Sequence, residues 1–258
     1  MIKQKGMLYD ITLCVGCGNC YNACKEQNKL PETNKDFLKD HLSDKTYTVV
    51  EQYGEHYSRK NCMHCQDPAC VSVCPVGAFT KTALGPVLYN ADKCIGCRYC
   101  MQACPHKVPR YEWSNLNPRV RKCILCHDRL KQGLPTACSE ACPTGATMFG
   151  DLDDLREEAK KRLRENPNTY YQRIYGMEEA GGSNVLVVSP VPFEQLGFVS
   201  NLPKQPLPKL TAQAMEKIPG VVGVGAVFLT GMYWLTKRKN EVAREENSKR
   251  TGSVNNEK

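Results

Sequence analysis

Apolar positions are spread very unevenly along this 258-residue chain. From Ile218 to Thr236 a run of 19 residues carries no charge, about the length of one bilayer crossing at helical rise. It closes on Tyr233 and Trp234, followed by Lys237, Arg238 and Lys239. An aromatic pair before a basic cluster predicts a spanning helix that leaves the tail inside and the preceding body outside. Gly220, Gly223 and Gly231 lie within the span, where small residues permit close helix packing, although a lone helix would read the same. Upstream the patterns are short. Leu152, Leu155, Ala159 and Leu163 make the apolar stripe of a helix over 151–165, with Asp151 placed to cap it and Asn166-Pro167 to stop it. Tyr47–Tyr53 alternates like a strand, Val185–Ser189 reads as a buried strand, and 75–93 reads as a short hairpin turning at Gly85-Pro86. Five prolines fall from Pro190 to Lys209, Pro190 included, predicting an extended strap on this domain or on a partner. The charged tail after Lys239 is expected to be disordered.

Composition changes this picture at one residue type. Hydrophobic content is ordinary at 41%, but there are 16 cysteines, in four groups of four with none left over: Cys14, Cys17, Cys20, Cys24; Cys62, Cys65, Cys70, Cys74; Cys94, Cys97, Cys100, Cys104; and Cys123, Cys126, Cys138, Cys142. The first and third keep Cys-x2-Cys-x2-Cys-x3-Cys in full. The second widens one gap to four residues (Gln66–Ala69) and the fourth to eleven (His127–Ala137). The last two cysteines of every group keep the x3 step. Proline follows the last cysteine in three groups, as Pro75, Pro105 and Pro143, whereas the first has Lys25.

Such spacing suits iron–sulfur cubanes. A tight loop turns three sulfurs to one centre, and the x3 step carries the fourth away, so that in two-cluster bacterial ferredoxins the last cysteine of each run ligates the other cluster. Structural zinc normally uses two Cys-x2-Cys pairs with a longer span between them. Disulfide scaffolds are usually much smaller, and cysteines this dense are poorly placed to pair two by two. A [3Fe–4S] centre would follow from a missing ligand, and no group lacks one. The expectation is four [4Fe–4S] clusters. Groups two and three, separated by a hairpin-sized linker, should exchange their fourth cysteines: Cys62, Cys65, Cys70 with Cys104, and Cys94, Cys97, Cys100 with Cys74. Groups one and four then pair around them: Cys14, Cys17, Cys20 with Cys142, and Cys123, Cys126, Cys138 with Cys24.

The implied fold class is α+β and loop-rich: two bacterial-ferredoxin-like two-cluster units, one inserted in the other, plus one C-terminal transmembrane helix. The expected layout is the first motif and a polar insertion over 1–61, with 25–61 free of cysteine. An inner unit spans 62–110. The fourth motif, 111–150, completes the outer unit together with 10–24. Helix, strand and strap occupy 151–217, the span 218–236 and the tail 237–258.

Charge narrows the partners. The net charge of +8 gathers around 107–131, 156–173 and 237–250, which fits a membrane surface or an acidic partner. No basic stripe interleaved with aromatics is present, so nucleic acid is not expected. Met1–Asp10 holds no apolar run of signal-peptide length. Nothing suggests an active site of the chain's own, with no Gly-rich dinucleotide loop and no nucleophile–base arrangement. His64, His106 and His127 sit near cysteines and could tune a cluster, but packing or solvent roles are expected. Tyr111 and Trp113 read as core or interface, and Arg129 and Lys131 as a partner-facing or solvated loop.

With these motifs quoted, the chain resembles the iron–sulfur (beta) subunits of membrane-bound respiratory oxidoreductases over roughly residues 7–240. The resemblance rests on GMLYDITLCVGCGNC, CMHCQDPACVSVCPVGAF, CIGCRYCMQACPHKVPRYEW, KCILCHDRL, ACPTGATMFG and GGSNVLVVSPVPF. It implies an electron-transfer subunit without catalysis of its own, within a hetero-oligomer. Its partners would be a catalytic subunit, of molybdopterin formate dehydrogenase or nickel–iron hydrogenase type, and an integral membrane haem or quinone subunit. A single anchor helix points to those two branches, with the ferredoxin body outside the inner membrane. The hydrogenase branch usually carries its own twin-arginine signal, so the absence of one here favours formate dehydrogenase.

Overall fold

The computed structural model describes residues 3–115 and 118–254, in two compact units, Met1–Pro208 and Lys209–Lys258. All cysteines lie in the first. Its centre is β1 (Lys5–Asp10), a strand apolar on both faces and therefore buried on both. After β1 the chain enters α1 (Asn19–Gln27), then the hairpin of β2 (Val49–Tyr53) and β3 (His56–Lys60), short helix α2 (Ala69–Ser72), and the hairpin of β4 (Phe79–Lys81) and β5 (Val87–Tyr89). Next come α3 (Tyr99–Gln102), the two-residue strands β6 (Arg110–Tyr111) and β7 (Val120–Arg121), α4 (His127–Lys131), α5 (Ala137–Glu140), β8 (Thr147–Asp151), α6 (Leu152–Glu165) and β9 (Val185–Val188). β1 pairs antiparallel with β8, Leu8 opposite Met148, and parallel with β9, Leu8 opposite Leu186.

Because side chains alternate along a strand, this sheet sorts its neighbours. Leu8, Leu186 and Val188 pack against Leu152, Leu155, Ala159 and Leu163 of α6. Met7, Tyr9, Val185 and Val187 face the other way, onto Leu125, Phe193 and several cysteines. The sheet therefore backs the cysteine loops on one side and is braced by a helix on the other.

The helix over 151–165, its stripe and the β4–β5 hairpin form as expected. Asp151 precedes the helix but makes no capping hydrogen bond; its carboxylate pairs with Lys3 and Lys5 instead. The strand in the insertion is half of a hairpin, since β3 pairs with it. Three expectations need correction. The Pro-rich strap is partly core, with Phe193 and Leu196 buried in a tight turn and Ala180 N–H donating to Pro203 O. Leu207–Met215 then forms helix α7, where continued extended chain was expected. The charged tail is helical: α8 runs Ile218–Val254, because Glu, Ala, Lys and Arg after the span are good helix formers and Lys237 sits one turn from Glu241. The apolar part of this helix is long and apolar enough to cross a membrane.

Candidate cofactor-binding site

Each cysteine group is built the same way. The residue just before the second cysteine has a left-handed backbone in all four: Gly16 (φ 66°), His64 (φ 51°), Gly96 (φ 72°) and Leu125 (φ 53°). That twist turns the loop tightly about its cysteines. In two groups it aims the residue's own N–H at the first sulfur: Gly96 to Cys94 Sγ (3.4 Å) and Leu125 to Cys123 Sγ (3.4 Å). A short helix then carries the third cysteine, Cys20 in α1, Cys70 in α2, Cys100 in α3 and Cys138 in α5. The eleven-residue gap of the fourth group is taken up by α4, whose Arg129 binds Pro135 O and Glu140 and so ties the loop shut. Asp10 and Asn90 each cap a single turn leading into the first cysteine of groups one and three, Cys14 and Cys94.

The fold brings cysteines together across groups. One cavity is lined by Cys14, Cys17, Cys20 and Cys142, a second by Cys24, Cys123, Cys126 and Cys138, and a third by Cys74, Cys94, Cys97 and Cys100. Each is lined by four cysteines drawn from two groups, so one kind of occupant suits all three. The remaining cysteines form a fourth neighbourhood, in which Cys62, Cys104 and Cys70 are the charges that act on Cys65. Between neighbourhoods, Cys20 lies in the field of Cys138, Cys123 in that of Cys62, and Cys70 in that of Cys100. The four sets thus adjoin in a row: 14/17/20/142, 24/123/126/138, 62/65/70/104, 74/94/97/100.

The donor set fits iron–sulfur clusters. All sixteen cysteines are free of disulfides. Burial pushes the thiol of Cys20 up to about 11 and those of Cys70, Cys100 and Cys123 up to about 12, so these thiolates need a cationic metal to compensate them. Burial also acts on Cys142, but hydrogen bonds from the Thr147 and Thr144 region outweigh it and hold that thiol below its ordinary range. Sulfurs receive N–H groups, as from Ala78 to Cys74 Sγ (3.2 Å) and from Asn28 Nδ2 to Cys24 Sγ (3.5 Å). Among the described residues no three potential ligands converge closely enough to hold a single metal ion. The thiols ring a space instead, as a multi-atom cofactor requires.

Two of the histidines near the cysteines make defined hydrogen bonds within the fold. His64 is fully buried, its Nδ1 accepting from Val87 N–H at 2.9 Å, and burial lowers its pKa far below the ordinary value. His106 lies 3.1 Å from the Tyr175 hydroxyl through Nδ1, and burial pushes its pKa down to about 4. Trp113 is not core: it is exposed, with the Arg98 guanidinium 5.1 Å from its ring and Tyr111 against its edge. Sequence reasoning passed over Asn184. It donates to Lys5 O and Gln4 Oε1 and accepts from Lys81 and Gln66, joining β1, the second cysteine loop and the β4–β5 hairpin. It also passed over two buried cations: Arg59, which belongs to no motif, and Lys122, whose place beside Cys123 in KCILCHDRL does not show that it also acts on Cys70.

Two families, each described as a 4Fe-4S dicluster domain, match residues 13–78 and 54–152, so [4Fe–4S] clusters are the cofactor class. The chain is 35% identical to the formate dehydrogenase-O iron-sulfur subunit of Escherichia coli (strain K12), over 95% of this chain and 88% of that one. It is 40% identical to the Hydrogenase-2 operon protein HybA of Escherichia coli O157:H7, over 77% and 73%, and 40% identical to Protein NrfC of Escherichia coli (strain K12), over 66% and 76%.

Proposed function

Since the chain belongs to the iron–sulfur electron-transfer subunits of respiratory oxidoreductases, we propose that it holds four [4Fe–4S] clusters, one per cysteine set. It relays electrons between a molybdenum or tungsten formate dehydrogenase subunit and an integral membrane haem or quinone subunit. It is not itself catalytic. The ligand sets are Cys14, Cys17, Cys20, Cys142; Cys24, Cys123, Cys126, Cys138; Cys62, Cys65, Cys70, Cys104; and Cys74, Cys94, Cys97, Cys100. The observation that carries the reading is that Cys142, Cys24 and Cys74 each line one cavity with the first three cysteines of another group, while Cys104 acts on Cys65 together with Cys62 and Cys70. The inner unit is 62–110 and the outer unit joins 10–24 to 111–150. When bound, the clusters supply one-electron carriers. The chain's own residues hold them in a row, back the outer pair with the β8–β1–β9 sheet and place N–H groups on the thiolate sulfurs.

The formate dehydrogenase assignment is supported by the reach of the likeness. A match over 95% of this chain cannot be made without entering the apolar helix that starts at Ile218. In this reading the helix anchors the body on the outer face of the cell membrane, with Lys237, Arg238 and Lys239 at the cytoplasmic interface. One observation favours a second reading, the subunit of a nickel–iron hydrogenase complex: the higher identity, 40%, to HybA. The test is elemental analysis of the native complex solubilised in mild detergent. One iron per cysteine is expected, with molybdenum or tungsten and formate-driven reduction. Nickel without either would replace the partner with a hydrogenase, and zinc without iron would sink the whole reading.

A further inference from the structure

Arg59, in β3 of the cysteine-free insertion, is 3% exposed. A buried guanidinium ordinarily meets a carboxylate, because an unpaired buried charge costs several kcal/mol, on the order of the desolvation penalty of one ion. The ion pairs among the described residues include none to Arg59. Its bonds are to neutral groups: Nη1 donates to Thr147 Oγ1 at 3.1 Å and Nη2 to Met7 Sδ at 3.6 Å. Its Nε has no partner. The guanidinium carbon sits 5.6 Å from the centre of the Tyr9 ring.

Its position says what the missing anion is. Arg59 lines the cavity of Cys24, Cys123, Cys126 and Cys138. Thr147 and Tyr9, which it touches, line the cavity of Cys14, Cys17, Cys20 and Cys142. The guanidinium therefore stands in the wall between the first two cavities of the row. Cys24, Cys126 and Cys138 line the same cavity as the guanidinium, and Cys20 lines the neighbouring one with Tyr9 and Thr147. We propose that Arg59 is the shared buried counter-charge of the two outer clusters, a positioning and tuning residue that raises both their midpoint potentials. The inference rests on the four-cluster reading. Each thiolate-ligated cluster is anionic and gains one further negative charge on reduction. A fixed cation between two of them in a low-dielectric wall favours the reduced state of both. The set 62/65/70/104 lies beside Lys122 and Lys81 instead, and Arg59 lines no cavity of the inner unit's cysteines, so its effect falls on the outer pair.

The test uses the full chain in its native complex, with Arg59→Gln and Arg59→Lys. Iron per chain and EPR-monitored redox titration are the readouts. Arg59→Gln keeps a donor for Thr147 and removes the charge; both outer midpoints should move negative while the inner two stay. Arg59→Lys should hold the outer midpoints near the parent values. If Arg59→Gln fails to load the outer pair while Arg59→Lys loads it, the charge is needed for assembly and the proposal stands. Fully loaded Arg59→Gln with unmoved outer midpoints overturns it, as does equal failure of both variants to load, which would mark Arg59 as packing only. A parent chain without four iron–sulfur signals would instead overturn the four-cluster reading, so the two failures are told apart.

Discussion

At the residue scale, the fourth cysteine of each group is the informative one. Cys24 is buried and lines a cavity with Cys123, Cys126 and Cys138 rather than with its own run. Cys24→Ser should therefore abolish or convert the cluster held by 123/126/138 and leave that of 14/17/20 intact, as read by EPR of reduced protein. Selective loss of the latter would refute the exchange. Lys25, in the place where the other groups have proline, is a second informative residue. Its ammonium donates to Pro31 O and Thr33 Oγ1, both at 2.8 Å, and lies 3.9 Å from Asp40, stapling the insertion to α1. Burial acts to raise the Asp40 carboxyl, but hydrogen bonds from Thr33, Tyr21 and Thr46 outweigh it and hold it below the usual carboxylate range. A depressed folded-state pKa contributes stability above the unfolded value, about 3.9, and loses it as pH falls through the folded value. Asp40→Asn should cost about 1–3 kcal/mol near neutral pH. That difference should shrink below about pH 4 in denaturant titrations of the iron-loaded chain.

At the element scale, the repeated unit is a left-handed residue followed by a short helix, and it recurs despite gaps of two, four and eleven residues in the sequence. Glycine serves this backbone in the Cys-x2-Cys-x2-Cys groups, while His64 and Leu125 are forced into it by burial at 0% and 1% exposure. A Cβ on Gly96 would meet only the movable hydroxyl of Tyr111, at 2.9 Å, so strain at φ 72° is the main cost. Gly96→Ala should cost about 1–2 kcal/mol. It should speed loss of iron from the 74/94/97/100 set under chelator, measured against the other three. An unchanged release profile would show that the loop tolerates the strain. The expected hairpin at Gly85-Pro86 and the helix after Asp151 were legible because turn chemistry and a 3.6-residue stripe are local signals. β1, β3 and α7 were not, since β1 is apolar on both faces and β3 draws its identity from pairing with β2.

At the scale of the whole molecule, the chain divides into a body with its own cores and all sixteen cysteines, and a helical unit beyond Pro208. The exposed Val, Phe, Leu and Trp side chains of α8 are a liability in water, at about 25 cal/mol per Å² of apolar surface. In detergent phase separation the full chain should enter the detergent phase. A chain ending at Pro208 should stay aqueous and keep its iron. Aqueous partition of the full chain would count against the span.

What the residues alone determined was the cofactor class, the grouping of the cysteines four by four and a segment long and apolar enough to cross a membrane, because thiol number, loop spacing and apolar length are properties of contiguous chain. The order of the cysteine sets in a row was decided by tertiary structure: adjacency between Cys123 and Cys62, or between Cys70 and Cys100, depends on how two nested units pack. The same holds for Arg59. Within HYSRK it reads as an ordinary strand residue, and only the β2–β3 hairpin closing against β1 and β8 carries its charge into the wall between two cysteine cavities. Electrostatic fields act through space, so a cation's role is set by where the fold buries it and not by its neighbours in sequence.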